Sequence, residues 1–151
     1  MARRNLVVTT EGEIALVAAT PKTILQLVAP TNQRLAIRGF SVSFDGISAT
    51  AEPIQVDLVK QTDAGTTSAA TPAAEQIGLG SETIQATARK TASAEPTTTD
   101  VLRRYNIHPQ TGREFRFSIE DEIVMAGGTR VGLRCTAPAN VNVVGHMAFE
   151  E

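Results

Sequence analysis

The dominant pattern along this chain is an alternation of apolar and polar residues with a period of two, which is the spacing of a half-buried β-strand. The clearest example runs from Val141 to Phe149, where most odd positions are apolar while Asn142 and His146 take even ones. The same alternation predicts the core-facing residues of three more strands: Ile54, Val56 and Leu58; Phe115, Phe117 and Ile119; Val131, Leu133 and Cys135. Because almost no place remains for a long amphipathic helix, the sequence predicts an all-β fold.

A change of phase interrupts this alternation between Leu35 and Phe44, where the apolar positions switch from odd to even numbers. A slip of one residue would turn every later side chain to the wrong face of the sheet. A β-bulge at Arg38 and Gly39 restores the facing, with glycine supplying the unusual backbone angles of a bulge. We therefore expect a bent strand here.

Weaker patterns predict strands at 14–18, 22–28, 76–87 and 102–107, for a total of about eight or nine. Turn residues such as Asp45-Gly46 separate them. The segment 66–74, rich in Thr, Ser and Ala, is expected to be a long exposed loop, with a helical turn at 72–76. Strands at this spacing favour a sandwich or a barrel.

The length of 151 residues predicts one domain, because domains typically contain about 100 to 200 residues. We expect a jelly-roll-like antiparallel β-sandwich over 13–151. The turn segments 49–53 and 92–96 echo each other, either as duplicated turns in two Greek-key halves or by convergence on good turn residues.

Residues 1–12 are expected to form a short N-terminal arm or edge strand. A segment that mixes arginines with apolar residues can add as a strand to a neighbour's edge. It can equally be the first strand of its own sheet. The residues in question are Arg3, Arg4, Leu6, Val7 and Val8.

Charge and hydropathy disfavour several classes of partner. A net charge of −2 gives no chain-wide positive field to hold nucleic acid or an anionic membrane. The longest apolar stretch, 14–19, is far shorter than the roughly 20 residues that cross a bilayer. Polar residues from Thr9 onward interrupt the pattern of a signal peptide. A lone cysteine, Cys135, fits a reducing compartment, so we expect a soluble protein made without export.

Residue types that carry catalysis are few and badly spaced. His108 and His146 are the only histidines, and neither forms a close ligand pair with Cys135. The strand pattern also places Cys135 on the core face and His146 on the polar face, which separates a thiol from its base. The acidic run 120–122 is typical of a solvated turn. We therefore expect no enzyme, no catalytic residues, no cofactor and no metal.

Arginine is the residue type best suited to a protein interface here, because its guanidinium binds carboxylates in a bidentate manner. The alternative for each arginine is an ordinary solvated charge. The candidate interface residues are Arg3, Arg4, Leu6, Val7, Val8, Arg103, Arg104, Tyr105 and Arg113.

Several turn and strand motifs carry a resemblance to a known family: Lys22-Thr23-Ile24-Leu25-Gln26-Leu27, Phe44-Asp45-Gly46 with 48–56, 91–96, His108-Pro109-Gln110-Thr111-Gly112 and 137–143. Over roughly 22–150 the chain resembles small phage structural proteins, and more specifically the head decoration, or capsid cement, proteins of tailed bacteriophages. The resemblance implies a β-sandwich or jelly roll that assembles as trimers at the local threefold points of the shell. It supplies no residue-level binding site.

The expected function is that of a structural virion protein, which binds the outer head surface and stabilises the shell through multimeric contacts. Its partners would be itself, as a homotrimer, and the major capsid protein, with no nucleic acid and no membrane. It would be made in the host bacterial cytoplasm and reside on the capsid surface.

Two alternatives come from other classes. A head- or tail-fibre module that binds the host surface or a glycan would need an aromatic platform, for which Tyr105 is the only tyrosine and no tryptophan is present. A small cupin-like enzyme would need a histidine-rich metal centre that two distant histidines do not supply.

Overall fold

The computed structural model describes residues 4–48, 50–78 and 83–151, and within them every regular element is a β-strand. The strands form two antiparallel sheets that enclose one apolar core, so the expected all-β sandwich is confirmed. In chain order they are β1 (Asn5–Thr9), β2 (Ile14–Leu16), β3 (Lys22–Val28), β4 (Leu35–Phe44), β5 (Ile54–Gln61), β6 (Thr66–Ala70), β7 (Ala73–Ala74), β8 (Thr87–Ala94), β9 (Thr98–Ile107), β10 (Gly112–Arg116), β11 (Ile123–Met125), β12 (Arg130–Thr136) and β13 (Val141–Glu150).

Strand order identifies the fold as a jelly roll. The first sheet runs β10-β4-β13-β1-β7, with β11 also beside β4 and β2 also beside β13; the second runs β6-β8-β3-β12-β5-β9. The early strands β1, β3, β4 and β5 pair with the late strands β13, β12, β10 and β9, in that order. Successive pairs alternate between the two sheets. A long antiparallel hairpin that is rolled up so that its pairs alternate between two sheets is the jelly-roll arrangement, as expected.

The segment 62–97 is an excursion from this hairpin between β5 and β9. Its strands β6 and β8 extend the second sheet beyond β3, and β7 pairs with β1 at the far end of the first sheet. The predicted exposed loop at 66–74 and helical turn at 72–76 are therefore wrong, because these residues hold β6 and β7. The predicted strand at 76–87 is also wrong for the described residues, of which only Thr87 is in a strand.

The core follows the alternation of the sequence closely. Cys135 and Phe149 are buried as predicted, together with Val131, Leu133, Val143 and Met147, whereas Val141 at the start of β13 is partly buried. Phe115 and Phe117 are only partly buried at the margin of the core, and Ile119 is 70% exposed. The prediction for Ile119 is wrong because the strand ends at Arg116, so the alternation no longer determines which way later side chains point.

The bulge predicted in β4 is present. Ala148 of β13 pairs with Gly39, while the next residue, Phe149, pairs with Ile37, so Arg38 is the extra residue. The prediction that Gly39 supplies unusual backbone angles is wrong, because its φ is not positive. A Cβ on Gly39 would lie 2.3 Å from the carbonyl oxygen of Phe115, so glycine is needed for the close approach of β10.

The N-terminal segment is part of the chain's own sandwich. Strand β1 lies between β13 and β7, and both Leu6 and Val8 are 0% exposed. Residues 5–9 are therefore not an arm that reaches a neighbour, because their apolar side chains fill their own core. No helix in the described part of the chain is long and apolar enough to cross a membrane.

Candidate functional site

The edge of the sandwich formed by β9 and β10 carries a group of exposed arginines and half-buried aromatic residues. Strand β9 ends the second sheet and β10 ends the first, and the short turn 108–111 joins them. Tyr105 of β9 meets Phe115 of β10 with ring centroids 4.0 Å apart, and Phe115 stacks on the buried Phe40 at 4.8 Å. These rings close the gap between the two sheets, and they fix both strands against the core.

Two arginines flank the aromatic pair. The guanidinium carbon of Arg113 lies 4.9 Å from the ring centroid of Phe115, within range of a cation-π interaction. Arg103 stands two residues before Tyr105 on the exposed part of β9, and it donates a hydrogen bond to the Leu102 carbonyl at 3.2 Å. Within the described residues neither arginine has a salt-bridge partner. We call Arg103, Tyr105, Arg113 and Phe115 the arginine-aromatic edge.

A buried carboxylate supports this edge from behind. Asp57 of β5 is 1% exposed, and its oxygens accept hydrogen bonds from Arg104 of β9 at 2.9 Å and from Arg134 of β12 at 3.0 Å. Burial by itself would raise the pKa of Asp57, but the two guanidiniums outweigh it and the pKa is lowered. The ionised carboxylate thus ties together β9, β5 and β12.

The structure brings together three of the candidate interface residues and leaves the others apart. Arg103, Tyr105 and Arg113 belong to the arginine-aromatic edge. Arg104 adjoins them but holds Asp57, so it is a structural ion pair rather than a free recognition group, although its side chain is 52% exposed. Its pKa is raised by the hydrogen bond to Asp57.

The N-terminal candidates lie on the opposite side of the molecule, because β13 and β4 separate β1 from β10. Leu6 and Val8 are core residues, which corrects their assignment to an interface, and Val7 is half-buried. The backbone of Arg4 pairs with that of Glu151 through two hydrogen bonds of 3.2 Å. Arg3 lies outside the described residues.

Phe115 and Asp57 are the two site residues that sequence reasoning placed elsewhere. Alternation assigned Phe115 to the core and gave no sign that its strand forms an edge. The predicted core face of Ile54, Val56 and Leu58 puts Asp57 on the opposite face of its strand, yet Asp57 is buried. Nothing local to Asp57 signals this burial, because Arg104 and Arg134 come from strands that are distant in sequence.

Other titratable groups have clear structural settings. Burial raises the pKa of the Cys135 thiol, which keeps it protonated. His146 lies opposite Ser41 on the neighbouring strand, with 2.8 Å between Nδ1 and Oγ. In the acidic run 120–122, Glu122 is not solvated as expected: it is nearly buried and its Oε1 lies 3.1 Å from Nε of Arg38, which also pairs with Glu150. Within the described ranges no cluster of His, Cys, Asp or Glu has the geometry of a metal site.

Taken together, these features describe a jelly-roll sandwich with one edge that combines packed aromatic rings and two arginines without salt-bridge partners among the described residues. No protein-family model matches the chain, and neither a curated protein nor a solved structure is found to match it. The resemblance of its motifs to decoration proteins therefore stays a prediction.

Proposed function

We propose that this chain is a structural virion protein: a decoration, or cement, protein that binds the outer surface of a tailed-phage head as a homotrimer and stabilises the shell. The observation that carries the proposal is the arginine-aromatic edge. Arginine and tyrosine are the residue types that contribute most binding free energy in protein interfaces. Here they stand on a rigid sandwich, beside rings that pack on its core.

Rigidity matters because a decoration protein stabilises a shell only when its own surface does not deform as the shell moves. Phe115 packs on Phe40, and Asp57 fixes β9 to β5 and β12 through its two arginines. The backbone and the aromatic rings of this edge therefore lose little conformational freedom on binding, and the cost of ordering falls mainly on the two exposed arginine side chains.

Multivalency raises the overall affinity of the protein for the shell. A trimer presents the same edge three times, so once one protomer is bound the others bind at a high effective concentration. Each contact then needs to contribute only a few kcal/mol, on the order of a single good hot spot. On this proposal the protein resides on the capsid surface, with the major capsid protein as its partner.

The proposal is tested by light scattering on the purified chain and by co-sedimentation with expanded shells assembled from the major capsid protein of the same phage. We expect a trimer that sediments with the shells, and weaker binding as the salt concentration rises, because the contact is cationic. An inert monomer that stays in the supernatant would overturn the proposal. Glycan binding without shell binding would favour the alternative, a module that recognises the host surface.

A matched pair of variants locates the contact. Arg113→Glu reverses a charge in the arginine-aromatic edge, whereas Arg34→Glu makes the same change on an exposed loop between β3 and β4. We expect the Arg113 variant to bind shells at least about tenfold more weakly, since interfacial arginines are frequent hot spots. The Arg34 variant should bind as the unmodified protein does.

A further inference from the structure

Strand β9 has two different halves along its free edge. From Arg103 to Ile107 it pairs with β5 residue by residue, so this half is regular. From Thr98 to Leu102 the register shifts twice, which leaves Thr99 and Leu102 as extra residues. Bulges of this kind hinder the addition of another strand. Within the described residues no strand lies on the outer side of β9, so only its regular half offers backbone groups for pairing.

The charges around this half are unbalanced. Three neighbouring cations have carboxylate partners within the chain: Arg104 with Asp57, Arg116 with Glu114 and Lys60 with Asp100. The other two, Arg103 and Arg113, have no such partner in the part of the chain that the structure describes. The regular half of β9 therefore has an excess of positive charge on both sides of Tyr105.

This excess argues against a second copy as the occupant. An antiparallel pair of β9 strands centred on Tyr105 would place Ile107 of the second copy opposite Arg103 and Asn106 opposite Arg104, so neither arginine would meet a carboxylate. Natural sheets also use charged edge residues to prevent pairing between copies. A segment with carboxylates in place of these arginines would instead be attracted.

We propose that the regular half of β9 binds an extended acidic segment of the major capsid protein as an added β-strand. Carboxylates of this segment pair with Arg103 and Arg113, and an apolar side chain packs against Tyr105. Five residues span about 17 Å, so two or three of them present their N–H and C=O groups to the incoming strand. This inference rests on the proposed function, whose partner it describes in chemical terms.

The direct test is nuclear magnetic resonance on isotope-labelled protein titrated with a seven-residue peptide in which a glutamate and a valine stand two residues apart, because Arg103 and Tyr105 lie on one face of β9. We expect saturable shifts at 103–107 and 113–115, and outward-facing amides in 103–107 that exchange at least about tenfold more slowly because they become hydrogen-bonded. The amides of 98–102 should be unaffected. A peptide with lysine in place of glutamate is the control, and equal binding of the two peptides would overturn the inference.

Two charge-reversal variants of the protein distinguish an ion pair with Arg103 from a general electrostatic attraction of the acidic peptide. Arg103→Glu should weaken binding of the acidic peptide at least about tenfold, since charge-assisted hydrogen bonds are among the stronger ones. Arg34→Glu, which changes the net charge equally, should alter it less than about twofold, because charges far apart are screened by salt. Equal loss in both variants would overturn the inference. A thermal melt of each variant establishes that it is folded.

The same exchange measurement on protein bound to shells distinguishes this inference from the proposed function. If the amides of 103–107 exchange more slowly when the protein is bound to shells, both the decoration function and strand addition are supported. Shell binding that leaves these amides unchanged overturns strand addition but not the decoration function. Binding of the acidic peptide with no affinity for shells overturns the decoration function, while the preference of β9 for acidic strands stands.

Discussion

At the scale of single residues, Asp57 holds the candidate site in place. Its carboxylate is buried in the second sheet. It binds Arg104 of β9 and Arg134 of β12, the strands on either side of β5. A buried charge of this kind is tolerated because its partners compensate the loss of solvation. This ionised side chain therefore adds to the backbone pairing with β5 and the packing of Tyr105 that hold β9 in position.

Asp57→Asn should destabilise the protein by about 3 kcal/mol at neutral pH, because Arg134 keeps its buried position without a compensating charge. Asp57 has a lowered pKa in the folded state, so its contribution is complete above the unfolded pKa of about 3.9 and is lost as the pH falls through the lower folded value. Urea unfolding of both proteins from neutral to acid pH should show their stabilities converging as the pH falls below the unfolded pKa of Asp57.

Asp100→Asn is the matched control for this prediction. Asp100 lies 3.9 Å from Lys60, and both side chains are more than half exposed, so the pair should contribute less than about 0.5 kcal/mol. If both variants lost the same stability, or if the gap at Asp57 did not narrow in acid, the ion pair would not have the role assigned to it.

Residue-level predictions from the sequence succeeded where the alternation of a long strand decides the outcome. Cys135 and Met147 are buried as their positions indicate. The pattern fails at Asp57, whose burial depends on arginines that only the fold brings near. It also fails at Ile119, which lies past the end of its strand.

At the scale of elements, β1 changes the interpretation of the N-terminal segment. Its apolar residues resemble an adhesive arm in the sequence, but they pack inside the first sheet between β13 and β7. Leu6 and Val8 are therefore not free to contact a neighbour, whereas the β9 edge on the opposite side carries exposed arginines with no salt-bridge partner among the described residues.

Leu6→Ala should reduce the free energy of unfolding by about 3 kcal/mol, since it removes a fully buried side chain from the core. Val7→Ala, one residue along the same strand but half-buried, should cost about 1 kcal/mol or less. Denaturant unfolding measures both. Equal and small effects, with loss of shell binding in the Leu6 variant, would indicate an arm that detaches from the sheet.

Strand boundaries were predictable where the apolar residues are large and regular. Strand β3 occupies the predicted 22–28, and β4 contains its bulge at Arg38. The segment 62–97 was misassigned because Thr, Ser and Ala give little contrast between a solvent face and a buried face. Strand β9 was predicted only from 102 onward, since the bulges at Thr99 and Leu102 disturb its alternation.

At the scale of the whole molecule, the jelly roll determines which strands become edges. The early strands pair with the late ones in reverse order. As a result β9 and β10, which lie near the middle of the rolled hairpin, become the end strands of their sheets on the same side of the molecule. The excursion 62–97 covers the other side with β6 and β7. Local patterns in the sequence do not encode this pairing, so Tyr105 and Arg113 could be predicted as interface residues but not as neighbours.

The measurement that tests the central claim most directly is electron cryomicroscopy of expanded shells decorated with this protein. We predict trimers whose β9 edge faces the shell, with Arg103, Tyr105 and Arg113 in the contact and acidic capsid residues opposite the two arginines. Attachment through the β6 and β7 side, or shells that remain bare at saturating protein, would contradict the assignment of the arginine-aromatic edge as the capsid-binding surface.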